Sequence, residues 1–230
     1  MTHRKIKTVG MVVAMQKEIM PLIERSGIKT KTVMKYGFEV TKFTVADKNI
    51  VCVKSGIGEL HAAAATQLLI GVYKADVIIN FGVCGALKDK AIAETVLVKG
   101  VVHYDFDLSP IDPLSEGQYP DEPSAIIETD KDLRKAVKAI DTSIGEAICA
   151  SGDKFVADEN IKSDLAEKYG AEICEMESAG VLITAKHAAV PCVILKAVSD
   201  GKGGAEEFKE MVDRAANAYI KLVFSLLERL

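Results

Sequence analysis

Residues Ala147 to Gly201 read AICASGDKFVADENIKSDLAEKYGAEICEMESAGVLITAKHAAVPCVILKAVSDG, and this stretch decides the fold class. Three apolar runs of strand length, Ala147–Ala150, Glu172–Met176 and Cys192–Val198, alternate with two longer segments, Glu159–Lys168 and Ser178–Ala188, whose apolar residues recur with helical period. Such alternation is the pattern of βα units around a largely buried sheet. Asp158 stands where the N-cap of the first helix belongs, since its carboxylate can accept from the unpaired N–H groups of the first turn.

The pattern continues toward the N-terminus. Val9–Met15, Ile50–Val53 and Val77–Val83 read as further buried strands; Lys17–Arg25, Glu59–Tyr73, Lys131–Ile140 and Ala205–Leu230 read as further helices, with Asp130 as a second N-cap. Phe38–Val45 alternates and then meets Ala46-Asp47-Lys48-Asn49, a turn-like tetrad that folds it back as a hairpin onto Ile50, so the expected sheet is mixed. A chain of 230 residues with 49% hydrophobic and 27% charged residues can bury one substantial core, and a single α/β domain over residues 1–230 is expected. His103 to Thr129 has no clear period and holds four of the six prolines; loops of that length are uncommon unless they are functional.

Charge and composition exclude several classes of partner. The formal net charge of −4 leaves no diffuse positive field for a phosphate backbone or an anionic membrane, so neither nucleic acid nor membrane is expected. No uninterrupted apolar run is long enough to span a bilayer. Arg4, Lys5 and Lys7 precede an apolar stretch, but Val9–Met15 is short for a signal-peptide core and is followed by Lys17 and Glu18, which suits a strand better. Cys52, Cys84, Cys149, Cys174 and Cys192 are odd in number, lack a C-x-x-C pair and fall in apolar runs, as reduced core residues of a cytoplasmic protein do.

Each expected strand is followed at once by an acid or a glycine-rich turn. Glu18 follows the first, Ser55-Gly56-Ile57-Gly58 the second and Cys84-Gly85 the third; Gly152-Asp153-Lys154-Phe155, Glu177 and Ser199-Asp200-Gly201 follow the rest. Ligands of α/β sheets bind outside the carboxyl ends of the strands, so Glu18, Glu177 and Asp200 can share a pocket. Each acid also suits the N-cap or first turn of the helix after it. The Gly56-Ile57-Gly58 turn lacks the third glycine of a dinucleotide fingerprint, because that position holds His61; its N–H groups can hold an anion, a ribose hydroxyl or a water, or serve the turn alone. His3, His61, His103 and His187 are scattered without zinc-ligand spacing, and no G-x-S-x-G elbow occurs. No metal or cofactor is expected, and the carboxylates are the credible catalytic set.

Six blocks, Ala14-Met15-Gln16-Lys17-Glu18, Ser55-Gly56-Ile57-Gly58, Asp76-Val77-Ile78-Ile79-Asn80, Ser151-Gly152-Asp153-Lys154-Phe155, Glu175-Met176-Glu177-Ser178 and Ala197-Val198-Ser199-Asp200, resemble in order and spacing the methylthioadenosine/S-adenosylhomocysteine nucleosidases of the nucleoside phosphorylase superfamily, from about residue 8 to 225. The resemblance implies a three-layer α/β sandwich with a mixed, partly barrel-like central sheet, working as a homodimer. It implies hydrolysis of the N-glycosidic bond of adenine nucleosides, with Asp200 as the general acid at purine N7, Ser199 orienting it, and Glu18 activating water. Such an acid needs its pKa raised by burial above the usual value near 3.9.

The same resemblance assigns Glu177 to the ribose hydroxyls, Met176 to the sugar face, Phe155 to the adenine ring and the Val156 backbone to its edge, and places Glu175, Ile57, Val83, Cys84 and Gly85 against the substrate. Taken alone, Phe155 and Met176 also read as core. The counterpart of His103–Tyr119 closes the 5′ pocket of the neighbouring subunit, and here Phe106, Leu108, Pro110, Ile111 and Pro113 give an apolar wall, or else a solvent-shielding loop. Three positions depart from the family pattern. Lys196 replaces an arginine, with fewer and less directional hydrogen bonds to the pocket acids; Val83 replaces a serine; and Gly201-Lys202-Gly203-Gly204 is short, which opens the adenine side.

Two rivals stay in view. A phosphate-dependent phosphorylase of the same superfamily relies on arginines to hold the oxyanion, but Arg4, Arg25, Arg134, Arg214 and Arg229 all lie outside the strand-end motifs. A non-catalytic nucleoside binder has no need of both an acid and a base.

Overall fold

In the computed structural model, which describes residues 6–230, the strand Val77–Ala86 (β5) is buried along its whole length and has neighbours on both sides. Of the residues noted in the sequence, His3, Arg4 and Lys5 lie outside the described part. Numbered in chain order, the other strands are β1 (Thr8–Val13), β2 (Lys31–Lys35), β3 (Phe38–Val45), β4 (Lys48–Lys54), β6 (Thr95–His103), β7 (Ile126–Glu128), β8 (Gly145–Ser151), β9 (Ile173–Glu175) and β10 (Cys192–Asp200). The helices are α1 (Gln16–Ser26), α2 (Glu59–Gly71), α3 (Lys131–Lys138), α4 (Glu159–Tyr169), α5 (Ser178–His187), α6 (Gly204–Ala218) and α7 (Ile220–Arg229).

All strands belong to one mixed sheet in the order β10-β6-β8-β9-β5-β1-β4-β3-β2, with β7 on β6. Because β10 also pairs with β5, the strands β5, β10, β6, β8 and β9 close into a ring, and the remaining strands extend from it as an open sheet. β5 lies parallel to β10, with Ile79 opposite Val193 and Val83 opposite Ala197, and its far end turns to pair antiparallel with β9, Gly85 opposite Cys174. β1 lies parallel between β5 and β4. The β3–β4 hairpin turns on Ala46 and Asp47, both at positive φ (46° and 65°), as a two-residue loop matched to strand twist requires.

Helices α1, α3, α6 and α7 cover one face of the sheet and α2 and α5 the other, which makes three layers. On one side Leu22, Phe81, Tyr219 and Val223 pack together; on the other Leu69, Ile78, Ile194 and Leu182 do. Each fully buried side chain of this size contributes roughly 1.5–3 kcal/mol. The expected N-caps are made: Asp130 accepts from the N–H groups of Asp132 and Leu133, and Asp158 from those of Asn160 and Ile161.

Several expectations are corrected. β5 continues past Val83 to Ala86, and β10 reaches Asp200, so Cys84, Gly85, Ser199 and Asp200 are strand residues and not a following loop. Their backbones stay extended because closure of the ring supplies partners for them. Ala205–Leu230 is two helices, broken at Tyr219, whose buried ring meets Phe81 edge-on at 5.2 Å. β2, β6 and β7 are additional strands, and β7 lies inside the segment 103–129. The five cysteines are free and buried, and among the described residues no helix is long and apolar enough to cross a membrane.

Candidate active site

The twelve residues singled out in the sequence, from Glu18 to Asp200, contribute to the wall of one cavity of about 340 Å³. Ring closure accounts for this meeting: β5, β9 and β10 bring their ends together at the wall, the turns that follow β4, β8 and β9 complete it, and α1 enters beside them from the end of β1.

Glu18 lies in the first turn of α1 and is buried. Its Oε2 accepts from the Met15 N–H at 2.8 Å, a capping contact, while its Oε1 accepts from the Val83 N–H at 3.0 Å, a reach across to β5 that no helix cap needs. Gly82 makes room for it, since a Cβ there would lie 2.5 Å from Glu18 Oε1. Burial pushes the Glu18 carboxyl up, against the opposing pull of Lys196 and of the backbone N–H groups that it accepts from.

Lys196, on β10, is enclosed and sets its Nζ 2.7 Å from Glu175 Oε2. Burial disfavours its charge, but Glu175, Glu177 and Glu18 outweigh that and keep the ammonium protonated. Glu175 is a structural hub: its carboxylate also accepts from the Ser151 hydroxyl at 2.6 Å and from the N–H groups of Glu177 (3.2 Å) and Ser178 (3.1 Å). Burial would raise the Glu175 carboxyl, but Lys196 and these donors hold it below the usual range. It forms part of the cavity wall with its oxygens already engaged by protein.

Glu177 occupies the N-cap position of α5 without capping it. Its Oε1 instead accepts from the Gly58 N–H at 3.1 Å, and burial together with the charges of Glu175 and Glu18 pushes its carboxyl up to about 8, against Lys196. The neighbouring N–H, that of Glu59, donates to Asp153 Oδ1 at 2.7 Å. The glycine turn thus spends these two N–H groups on the protein's own carboxylates. Glu59 completes the acidic group; it lies at close range to the Ser151 hydroxyl, whose one proton goes to Glu175, and accepts from the Gly180 N–H, and burial and Glu175 push it up to about 8. A Cβ at Gly180 would overlap the Glu59 carbonyl, so glycine is what lets α5 approach α2.

Asp200 ends β10 on the opposite side, 2% exposed, with Oδ1 2.7 Å from Ser199 Oγ, which also reaches the Cys84 carbonyl at 3.2 Å. Burial raises its carboxyl, opposed by the Ser199 hydroxyl and by Lys162, with Glu207 adding to the rise. Phe155 is 46% exposed at the rim, edge-on to Phe208 at 5.7 Å, so it is not core; Val156 is buried and Met176 half-buried beside it. Ile57 is 55% exposed and Val83, Cys84 and Gly85 give the β5 wall. Phe208 and Cys174 also line the cavity and were not foreseen; the signal for Phe208 was an apolar residue early in the helix that follows the acid-bearing strand.

No residue of 103–119 reaches this cavity within the same chain. There Phe106 and Tyr119 stack at 4.0 Å, His103 bonds Tyr119 and Asp105 at 2.8 Å and 2.9 Å, and Ile111 is left 78% exposed. Among the described residues the wall contains no arginine; Arg134 is engaged by the carbonyls of Lys99 and Thr129. Among the described residues, no group of three or more His, Cys, Asp or Glu is arranged to hold a metal ion.

Comparison with known proteins adds three findings. The family model described as "Phosphorylase superfamily" matches residues 8–228. The 5′-methylthioadenosine/S-adenosylhomocysteine nucleosidase of Shewanella halifaxensis is 31% identical over 96% of this chain and 99% of its own, and the aminodeoxyfutalosine nucleosidase of Helicobacter pylori is 30% identical over 98% and 100%. The crystal structure of the Helicobacter pylori 5′-methylthioadenosine/S-adenosylhomocysteine nucleosidase, complexed with a pyrrolidine-based inhibitor, superposes with a TM-score of 0.93 at 28% identity, covering 99% of this chain and 100% of that one.

Proposed function

The chain belongs to the phosphorylase superfamily, and on that premise we propose which side chains carry the hydrolysis of a nucleoside. The protein is a nucleosidase that cleaves the N-glycosidic bond of adenine nucleosides of the methylthioadenosine and S-adenosylhomocysteine kind. Asp200 is the general acid. It gives its proton to N7 as the bond from C1′ to N9 breaks, so adenine leaves neutral, and Ser199 orients it. Glu18 takes a proton from the water whose oxygen bonds to C1′. Glu177 grips the ribose hydroxyls, Met176 covers the sugar, Phe155 stacks on the base, and the Val156 backbone meets its edge. Ile57, Val83, Cys84 and Gly85 shape the remaining wall, and Glu175 acts through Lys196 and the α5 backbone.

The observation that carries this reading is the pairing of two buried carboxyls, Glu18 and Asp200, in one cavity, both raised from their usual values by burial. A raised acid retains a proton to give, and a raised base draws one more strongly, each nearer the working pH. Phosphorolysis is disfavoured because, among the described residues, the wall holds no arginine and the N–H groups of Gly58 and Glu59 already face carboxylates.

The homodimer and a cytoplasmic setting belong to the same proposal. The segment 103–119, with Ile111 and Phe106 forward, supplies the apolar lid of the neighbouring 5′ pocket.

The test is release of free base from methylthioadenosine, S-adenosylhomocysteine, adenosine, inosine and aminodeoxyfutalosine, with and without phosphate. Free sugar and phosphate independence are expected; a strict phosphate requirement with a sugar 1-phosphate product would overturn the mechanism. Asp200→Asn should lower kcat by about 10²–10⁴ while the fold is kept.

A further inference from the structure

The residue after Asp200 is held by an enclosed lysine. Lys162, in the first turn of α4, has a side chain only 4% exposed; its Nζ donates to Glu159 Oε1 at 3.1 Å and to the Gly201 carbonyl at close range. From the other side Glu207 of α6 accepts from the Gly201 N–H at 2.7 Å and the Gly203 N–H at 3.3 Å. The turn that leaves Asp200 is therefore clamped by one cation on its carbonyl and one carboxylate on its N–H groups, brought by two different helices. A surface lysine at a helix start would gain nothing from such enclosure, and the helix dipole there disfavours it.

We propose that Lys162 is a positioning residue for the proton-donating step: by holding the Gly201 carbonyl it fixes the end of β10 and the aim of Asp200, and its charge stabilises the carboxylate that Asp200 becomes when its proton has passed to N7. This rests on Asp200 being the general acid. Lys162 touches no substrate and does not line the cavity. Its contribution grows as negative charge develops on Asp200, which makes it a contribution to kcat more than to substrate binding. The short Gly201-Lys202-Gly203-Gly204 turn then needs no further length to shape the acid's surroundings, because the two helices do so.

The groups facing Asp200 are its neighbour Ser199 on β10, the Cys84 and Gly85 backbone of β5, Cys174 on β9, Lys162 on α4 and Glu207 on α6. Of these, Lys162 opposes retention of the proton and Glu207 favours it. Asp200 works protonated, so activity is lost as pH rises through its pKa, and the basic limb of the kcat/KM profile reads it. Removing Lys162's charge raises that pKa and moves the limb to higher pH; removing Glu207's charge moves it lower. Glu18, Glu59 and Glu177 also titrate above the usual range, so the readout is the displacement between variants.

The experiment compares full pH profiles of wild type, Lys162→Met, Lys162→Arg, Glu207→Gln and Asp200→Asn, all checked for folding by circular dichroism. Expected for Lys162→Met are a kcat about tenfold lower, KM changed less than about threefold, and a limb raised by up to about one unit. Lys162→Arg should restore the limb, and Glu207→Gln should displace it the opposite way. An unmoved limb in Lys162→Met, with Asp200→Asn inactive, would overturn the role of Lys162 and leave the acid's assignment standing. A folded Asp200→Asn at near wild-type rate would remove the general acid itself and the inference with it. Should Lys162→Met not fold, Lys162→Gln, which removes the charge and keeps a donor for the Gly201 carbonyl, decides in its place: a limb raised relative to wild type supports the role of Lys162, and an unmoved limb overturns it.

Discussion

Gly82→Ala moves Glu18 without altering it. The added Cβ would sit 2.5 Å from Glu18 Oε1 and 3.2 Å from its carboxyl carbon, where ordinary contact begins at 3.4 Å, so the carboxylate must withdraw by roughly 0.9 Å. Glu18 is not free to swing aside, because it is buried and held by the Met15 N–H at 2.8 Å and the Val83 N–H at 3.0 Å; the bond to Val83 is the one that the new methyl displaces. A misplacement of about 1 Å in a reacting group costs on the order of 10²-fold in rate. We expect kcat to fall by about that factor, KM to change less than about threefold, and stability to drop by about 1–3 kcal/mol from the overpacked core. The assay is adenine release at saturating methylthioadenosine, paired with a denaturant titration. Gly85→Ala is the internal comparison: its Cβ meets Asp200 Oδ2 at 3.1 Å, a milder clash, and should cost less. A folded Gly82→Ala enzyme within threefold of wild-type kcat would refute the placement of Glu18 at the reacting water.

Other perturbations bear on the remaining acids and on assembly. Lys196→Met leaves Glu175 enclosed without its cation beside Glu177 and Glu18, and should lower stability by about 3–5 kcal/mol in a denaturant titration, with Lys196→Arg losing less. Glu59 and Glu177 are raised to about 8, so the folded state holds protons that the unfolded chain gives up above about 4.5; melting temperature should fall as pH rises from 5 through 8, and Glu59→Gln should flatten that slope. An unchanged slope in Glu59→Gln would show that its carboxyl does not titrate there. Ile111→Asp should raise KM for methylthioadenosine and favour the monomer in light scattering; a variant with unaltered mass and KM would separate the 103–119 segment from the neighbouring pocket.

Much of the fold was legible because strands buried on both faces carry near-continuous apolar runs, broken only by single polar residues such as Asn80, Glu175 and Lys196. β1, β4, β5, β8, β9 and β10 could be read for that reason. β2 could not: it lies at the sheet edge, is mostly exposed and pairs only with β3, so its sequence carries no burial signal. β6 was missed although it is largely buried, because Lys99 and Gly100 interrupt its apolar run at a bulge between Val98 and Gly100. The break at Tyr219 has no glycine or proline to announce it; it exists because that ring is anchored on Phe81. In the site, acids at strand ends were readable one by one, whereas Glu59 looked like an ordinary first-turn residue and Lys162 like an ordinary surface lysine. What changes their meaning is contact across long sequence separations, Glu59 with Gly180 and Lys162 with Gly201, which no local pattern encodes.

Closure of the five-strand ring also orders events in time. The hydroxyl of Tyr219 reaches the Glu18 carbonyl over 201 residues, and the Gly58 N–H reaches Glu177 over 119. A nascent chain emerging at roughly 5–20 residues per second can assemble β1, β4 and β5 long before β9 and β10 exist to complete the barrel. Through that interval β5 waits with an unpaired flank, the vulnerable moment for misassociation. Catalytic competence is consequently a late acquisition: on refolding, helical signal should return first, and turnover only once the last strand has docked.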